Sequence, residues 1–190
     1  MQVITKDELQ IRKNELHRKI LKGSLFIHPT DTIYGIGCNA KDRRAVAKVR
    51  EIKQRPKTPF SVMVPSKEWI YKNCVVPKKA EQWLNKLPGP YTFIFTLKNK
   101  RAVVSNVNPR LNSIGVRIPD HWTHSIPEEL GIPIITTSAN IIGEEFMTSL
   151  ENLDPKIKGR MNFILYEGEK RGRPSQIVDF TGKQKKIIKR

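Results

Sequence analysis

The chain has 190 residues, of which 38% are hydrophobic, and its 35 lysines and arginines outnumber 18 acidic residues to give a net charge of +17. This length predicts one domain with one core, and apolar patterning along the chain excludes intrinsic disorder. Its two cysteines exclude a disulfide framework or a cysteine-rich metal cage. No run approaches the roughly 18 apolar residues of a membrane span, so we expect a protein of the cytoplasm that does not enter a membrane.

The excess positive charge has two interpretations. It indicates anionic partners, namely nucleotide, nucleic acid or both, or it belongs only to a solvated surface. Lysines and arginines concentrate in residues 41–57 and again in 170–190. This clustering favours a binding surface for anions.

The first predicted elements are a helix and a strand. Thr5 and Glu8 have the spacing of a capping box, which predicts a helix that begins there and ends near Gly23. The apolar face of this helix consists of Leu9, Leu16, Ile20 and Leu21. A short apolar strand over residues 24–28 follows and is ended by Pro29.

Residues 29–37, PTDTIYGIG, leave the end of this strand, which is where open α/β sheets place ligands. Thr30 and Thr32 alternate with Asp31, so both hydroxyls can point to one side, and the two glycines permit close backbone approach. The alternative interpretation is an ordinary tight turn with local side-chain hydrogen bonds. The segment lacks the third glycine of a dinucleotide fingerprint, and the chain contains no P-loop signature.

A second amphipathic helix is predicted over residues 42–54. Its basic residues lie largely off the apolar face, and they are Arg43, Arg44, Lys48 and Arg50. It must end before Pro56, because proline disfavours helical backbone in the residue that precedes it. Lys53 and Arg55 lie at this end, in the cluster KQRP. They either bind phosphate or only complement the helix dipole.

Strands and helices alternate through the rest of the chain. Strands are predicted over residues 60–64, 92–97, 113–118, 132–137, 163–166, 176–179 and 186–188, and helices over 67–73, 78–87, 122–130 and 149–158. Some of the connections are too short for helical crossovers. We therefore predict an α/β fold with a twisted, open, mixed β-sheet flanked by helices.

Two later segments place polar side chains in apolar surroundings. Residues 136–140, TTSAN, follow an apolar run and have a composition that suits a pocket lining better than a core. Arg117 lies inside the predicted strand IGVRIP, and a charge there is tolerated only when it is paired or bound to an anion such as a substrate carboxylate. With KQRP, Ser138 and Asn140 predict a site for a polyphosphate and a small polar substrate.

The chain offers no convincing nucleophile–base pair and no metal-ligand spacing among its histidines and cysteines. We therefore predict no catalytic side chain and no protein-bound metal. A reaction carried by positioning and electrostatics is expected instead.

These segments occur in the same order as in the YrdC-like family. The matching segments are PTDTIYGIG, the Lys53-x-Arg55 and Ser138-x-Asn140 pair, PGPYTF, IGVRIP and PSQIVD at 174–179. From about residue 5 to its end, the chain resembles the single-domain threonylcarbamoyl-AMP synthases (TsaC type) of this family. The combination of KxR with SxN is the specific part of the resemblance.

The resemblance implies a single domain over 1–190 with a concave basic face, and a reaction. L-threonine, bicarbonate and ATP would give threonylcarbamoyladenylate and pyrophosphate, for the t6A modification at position 37 of tRNA. Mg²⁺ is expected to arrive with the nucleotide. Carried over by position, the threonine-binding residues are Thr32, Arg117 and Thr136. The ATP-binding residues are Lys53, Arg55, Lys57, Ser113, Ser138, Asn140 and, of the alternatives Lys189 and Arg190, Arg190.

The chain departs from the family pattern at three places. Met63 stands where many relatives place a histidine near threonine, Gln176 replaces a usual threonine, and relatives commonly continue beyond the position of Arg190.

Other functions remain open at this point. Within the fold, the alternative is an RNA-binding paralogue without synthase activity, or a carbamoyl-transfer domain of the kind found in hydrogenase maturation. The basic helix near residues 43–55 favours contact with tRNA or double-stranded RNA, although RNA binding alone does not explain Arg117 or the TTSAN lining. The synthase interpretation also implies a downstream threonylcarbamoyl transferase as a partner.

Overall fold

The computed structural model describes residues 1–109 and 112–188, so the predicted nucleotide contact at Arg190 lies outside the described residues. Within the described part of the chain, eleven strands form one open sheet of mixed direction, and helices contribute to apolar cores on both of its faces. The predicted fold class, an open mixed α/β sheet flanked by helices, is confirmed.

The strands are β1 (Gln2–Ile4), β2 (Phe26–His28), β3 (Gly35–Gly37), β4 (Ser61–Met63), β5 (Cys74–Val75), β6 (Tyr91–Leu97), β7 (Ser113–Arg117), β8 (Ile134–Ser138), β9 (Phe163–Leu165), β10 (Gln176–Asp179) and β11 (Lys186–Ile188). The helices are α1 (Lys6–Ile11), α2 (Lys13–Leu21), α3 (Arg43–Ile52), α4 (Lys67–Asn73), α5 (Glu81–Leu84), α6 (Ser125–Leu130) and α7 (Pro155–Lys158). The sheet order is β1-β9-β2-β3-β8-β4-β7-β6-β10-β11, and β5 also pairs with β6. The pairs β1–β9, β2–β9, β4–β7 and β6–β10 are parallel and the remaining pairs are antiparallel.

The first helix begins as predicted. The Thr5 side chain accepts a hydrogen bond from the Glu8 amide at 3.3 Å, and the Glu8 carboxylate accepts one from the Thr5 amide at 2.8 Å, which confirms the capping box. Gly23 has a φ of +85° just beyond α2, as expected of a helix stop. The single helix predicted here is in fact divided at Arg12 into α1 and α2.

The helix predicted over 149–158 is wrong for its first half. The side-chain oxygen of Asn152 accepts hydrogen bonds from the amides of Thr148 and Ser149, at 2.9 and 3.0 Å. This local bonding competes with helical backbone bonding. Helix α7 begins only at Pro155, where Asp154 supplies the cap.

Strand β3 is not among the strands predicted from the sequence, because glycine-rich segments have low strand propensity. In the structure it pairs with β2 on one side and β8 on the other, and so joins the two halves of the sheet. A Cβ added to Gly37 would lie 2.8 Å from the Phe26 ring and 2.9 Å from the His28 ring. Glycine is therefore required there by the rings that cross over β3.

Side-chain alternation separates two apolar cores. Ile27 and Ile135 belong to the larger core, which includes residues of α3, α4, α5 and α7. Phe26 and Ile134 belong to the smaller core, to which α1, α2 and α6 contribute. Thr136 follows Ile134 on the same face of β8, so the apolar lining of this face gives way to polar residues near the end of the strand.

None of the helices in the described part of the chain combines the length and hydropathy needed to cross a lipid bilayer.

We predict that His28 makes the stability of the protein fall with acidification. Burial lowers the pKa of His28 from 6.5 to about 4, so the unfolded chain takes up the proton first as the pH falls. The free energy of unfolding should therefore decrease between these two pH values, by about 2 kcal/mol from pH 7 to pH 5. Urea unfolding at both pH values measures this loss. His28→Gln should lose about 2 kcal/mol less than the wild type, and equal losses would contradict the assignment.

Candidate functional site

A cleft of about 300 Å³ lies where β3, β4, β7 and β8 meet the loop after α3. It brings together five of the residues predicted from sequence, namely Thr32, Arg55, Arg117, Thr136 and Ser138. The other lining residues are Ile33, Tyr34, Gly35, Pro59, Ser61, Thr92, Thr137, Phe146, Pro174 and Ser175. Among residues 1–109 and 112–188, the lining therefore combines two guanidinium groups with many hydroxyls and contains no carboxylate.

Lys53 and Asn140 lie behind this lining. Lys53 is 1% exposed, and its Nζ donates to the carbonyl of Asn140 at 2.6 Å, to the Asn140 side-chain oxygen at 2.9 Å and to the carbonyl of Ser138. The Ser138 hydroxyl also donates to the Asn140 side chain, at 2.6 Å. The KxR and SxN motifs thus bind each other, and Lys53 holds the backbone that follows β8. A contact of Lys53 or Asn140 with nucleotide stays a prediction.

Arg55 enters the cleft from the loop that follows α3. Gln54 adopts a left-handed φ of +52°, and the Arg55 amide donates to the carbonyl of Arg50 at 3.0 Å, which closes the end of the helix. The Arg55 Nε is buried and has no hydrogen-bond partner among residues 1–109 and 112–188. Burial also lowers the pKa of Arg55. Its neighbour Lys57 is exposed and lies outside the cleft lining.

Arg117 forms a buried ion pair with the PTDT segment. Its Nη2 donates to the Asp31 carboxylate at 2.7 Å and to the Thr32 hydroxyl at 3.2 Å. Asp31 also accepts from the amide of Asp120 at 3.1 Å. The sequence offered pairing or anion binding as explanations for a charge in a strand. The structure shows the pairing, and it leaves Arg117 in the cleft lining.

Several lining residues were missed from sequence. Thr92 and Ser175 share a hydrogen bond of 2.7 Å between their hydroxyls, which joins the start of β6 to the residue before β10. Ser61 on β4 and Phe146 beyond β8 complete the set of side chains that no spacing rule had selected. Thr92 and Ser175 do lie in the motifs PGPYTF and PSQIVD, which were the available signals.

A strap formed by residues 167–175 passes over the PTDT segment. The Tyr34 hydroxyl donates to the carbonyl of Gly168 at 2.7 Å and accepts from the Glu167 amide at 3.1 Å. A Cβ added to Gly172 would overlap the carbonyl of Thr32. Only glycine allows this close approach between the strap and the PTDT segment. The strap ends at Ser175, which lines the cleft.

Ser113 and Met63 lie apart from the cleft lining. Ser113 lines a second cavity of about 270 Å³ with Asn108, whose side chain donates to the carbonyl of Ser113 at 2.6 Å. Met63 is fully buried in the smaller core together with Ile126 and Ile134. The position at which many relatives carry a histidine is therefore part of the core in this protein. The role predicted for Ser113 stays a prediction.

The described residues contain no group of three or more histidine, cysteine or acidic side chains placed to hold a metal ion. The cleft instead presents positive charge and hydroxyl groups, which suit phosphate and carboxylate oxygens.

Comparison with protein families identifies the fold and its lineage. The profile of the Sua5/YciO/YrdC family, described as telomere recombination, matches residues 18–190. The chain belongs to this family. A Methanocaldococcus jannaschii protein named "Putative threonylcarbamoyl-AMP synthase" is 39% identical over 167 residues, which are 86% of this chain and 77% of that protein.

Solved structures of the Sua5/YciO/YrdC family agree with this assignment. Sua5 of P. abyssi, in complex with L-threonine, is 28% identical with a TM-score of 0.88, covering 99% of this chain and 56% of the Sua5 chain. This chain thus spans little more than half of Sua5. YciO of E. coli has a TM-score of 0.86 at 23% identity, over 99% of this chain and 93% of YciO, and shows the fold alone.

We predict that Lys53 is required for stability. Lys53→Met would leave the carbonyls of Ser138 and Asn140 without their buried donor, and should lower the free energy of unfolding by about 3 kcal/mol. Urea unfolding measures the change. Lys48→Met, on the exposed face of the same helix, is the matched control and should stay within about 0.5 kcal/mol of wild type. A loss no larger than that of the control would show that the contact is dispensable.

Proposed function

We propose that this protein is an L-threonylcarbamoyladenylate synthase, which joins L-threonine, bicarbonate and ATP and releases pyrophosphate. The observation that carries the proposal is that Arg55 and Arg117 line one cleft together with the hydroxyls of Thr32, Thr136 and Ser138. The name of the M. jannaschii relative and the threonine bound to P. abyssi Sua5 support it.

The chemistry needs positioning more than it needs a protein nucleophile. Bicarbonate loses hydroxide to give CO₂, and the amine of threonine adds to the CO₂ carbon and releases a proton, which forms a carbamate. A carbamate oxygen then attacks the α-phosphorus of ATP while the bond to the bridging oxygen of the β-phosphate breaks. Pyrophosphate leaves with that electron pair. Fixed positive charge and orientation lower the barrier of such a displacement.

Each cleft residue has a role in this proposal. Arg117 binds the carboxylate of threonine, with Asp31 fixing the orientation of the guanidinium through their 2.7 Å contact. The hydroxyls of Thr32 and Thr136 contact the rest of the amino acid. Arg55 neutralises the phosphates, since its partly buried guanidinium enters the same cleft.

Mg²⁺ would arrive with the triphosphate. The residues of the cleft fit this, because their oxygens are hydroxyls and carbonyls, and phosphate oxygens supply the negative ligands that Mg²⁺ prefers. Bound in this way, the ion would offset the charge of the phosphates.

The product would supply the t6A modification of tRNA through a downstream threonylcarbamoyl transferase. The exposed basic side chains of α3, Arg43, Arg44 and Lys48, support a contact with RNA, and RNA binding without synthesis is the alternative function. The match of the family profile over 18–190 supports one YrdC-like domain across these residues. Cytoplasmic ATP and tRNA support a cytoplasmic location.

The test is direct. The protein is incubated with ATP, radiolabelled bicarbonate and L-threonine, and both pyrophosphate and a labelled adenylate are measured. We expect both products to require threonine. Absence of a threonine-dependent product at saturating substrate would reject the synthase and leave the RNA-binding alternative.

Two arginine variants should separate the two substrates. Arg55→Ala should raise the Kd of ATP by about tenfold or more, whereas Arg117→Ala should act mainly on the Kd of L-threonine by a similar factor, because a charge-assisted hydrogen bond is lost in each case. Isothermal titration with each substrate measures both constants. Arg44→Ala, on the exposed face of α3, is the control. Unchanged ATP affinity in Arg55→Ala would refute the assignment of that residue.

A further inference from the structure

Arg50, in the last turn of α3, lies inside the protein although its place in the helix predicts a solvent-facing basic residue. It is 8% exposed, and its guanidinium lies 4.5 Å from the centre of the Phe60 ring. Among residues 1–109 and 112–188, no carboxylate forms an ion pair with it. Burying a cation in this way is costly unless its donors are satisfied.

The donors of Arg50 are satisfied by backbone carbonyls from two separate segments. In the first segment, Nη1 donates to Arg55 at 2.7 Å and to Thr58 at 3.1 Å. In the second, Nε donates to Asn106 at 2.6 Å and Nη2 donates to Val107 at 3.0 Å. One planar group therefore holds two loops at a fixed separation, which the rigid fork of arginine does better than any other side chain.

Both loops lead to predicted nucleotide contacts. The first loop, residues 55–58, carries Arg55 into the cleft and includes Lys57. The second loop continues to Asn108, which donates to the carbonyl of Ser113. An apolar residue in place of Arg50 would fill the space, but it would leave these carbonyls unpaired and the loop 55–58 unattached.

The alternative explanation is that Arg50 only complements the dipole of α3. That role needs contacts with the carbonyls at the end of its own helix. Arg50 instead bonds to carbonyls beyond the helix, and Arg55 is close enough for the two positive charges to lower the pKa of Arg50 further than burial alone. Repulsion between Arg50 and Arg55 is costly for stability. The position of Arg50 is explained by its effect on Arg55, whose carbonyl it binds.

We propose that Arg50 is a positioning residue for the nucleotide. Without touching ATP, it fixes the conformation of residues 55–58 so that the Arg55 side chain points into the cleft. The inference rests on the proposed function, because it takes ATP as the ligand of Arg55.

The experiment compares Arg50→Met and Arg50→Lys with Arg18→Met, which removes the same charge from the exposed face of α2. Titration calorimetry gives the Kd of ATP and of L-threonine separately. Arg50→Met should weaken ATP binding by about 10- to 100-fold, because small displacements of a binding group have effects of this size. Threonine binding should change by less than about twofold, since Arg117 keeps its own partners. Arg50→Lys should lie between wild type and Arg50→Met, and Arg18→Met should match wild type.

Amide hydrogen exchange supplies a second readout that does not depend on activity. The amides of residues 55–58 should exchange faster in Arg50→Lys and Arg50→Met, while those of β8 stay protected. Should Arg50→Met not fold, Arg50→Lys decides the question by both measurements.

Three outcomes would overturn the proposal. They are an equal weakening of ATP and threonine binding, unchanged ATP binding in a folded variant, and the failure of both variants to fold. A wild-type protein that binds no ATP would instead refute the proposed function, and the exchange at residues 55–58 would still report whether Arg50 holds the loop.

Discussion

The site depends on one buried ammonium group. Lys53 follows the last residue of α3, and its Nζ donates to the carbonyl of Ser138 at the end of β8 and to the carbonyl and side chain of Asn140 beyond it. A lysine is almost never fully buried unless its donors are satisfied, so the burial of Lys53 requires an arrangement that brings these two segments together. That arrangement places Arg55 and Ser138 in one cleft. The contact joins two segments that lie far apart in the sequence.

Charge is the second constraint on this region. Arg50, Lys53, Arg55 and Arg117 surround the cleft, and Asp31 is the acidic residue bound to one of them. Backbone carbonyls satisfy Arg50 and Lys53, which lets these cations organise the structure. Arg55 and Arg117 line the cleft itself. An environment of this kind favours anionic groups, and a triphosphate and an amino-acid carboxylate are both anionic.

Two walls of the cleft carry different binding groups. The PTDT segment and the strap over it surround Thr32 and Arg117, and the close approach at Gly172 keeps the strap in place. The loop after α3 supplies Arg55, and its conformation is governed by Arg50 and by the left-handed backbone of Gln54. Substrates bound to these two walls would meet over the hydroxyls of β4, β6 and β8. In the proposed reaction, such an arrangement would promote the displacement by orientation, without a nucleophile from the protein.

The sequence by itself determined the fold class and most of the element positions, because hydrophobic periodicity, proline and capping signals are local properties. The five predicted residues that line the cleft were selected by polar motifs in apolar surroundings and by the resemblance to the YrdC-like family. The sequence did not reveal that β3 is a strand, since Gly35–Gly37 is stabilised by pairing with β2 and β8 and not by its own propensity. It also placed Arg50 on the solvent side and left Thr92 and Ser175 unselected. Only the tertiary structure decided those positions, because their partners are distant in the chain and meet only when the sheet has formed. Arg50 binds the carbonyls of residues 106–107, and the hydroxyls of Thr92 and Ser175 bind each other.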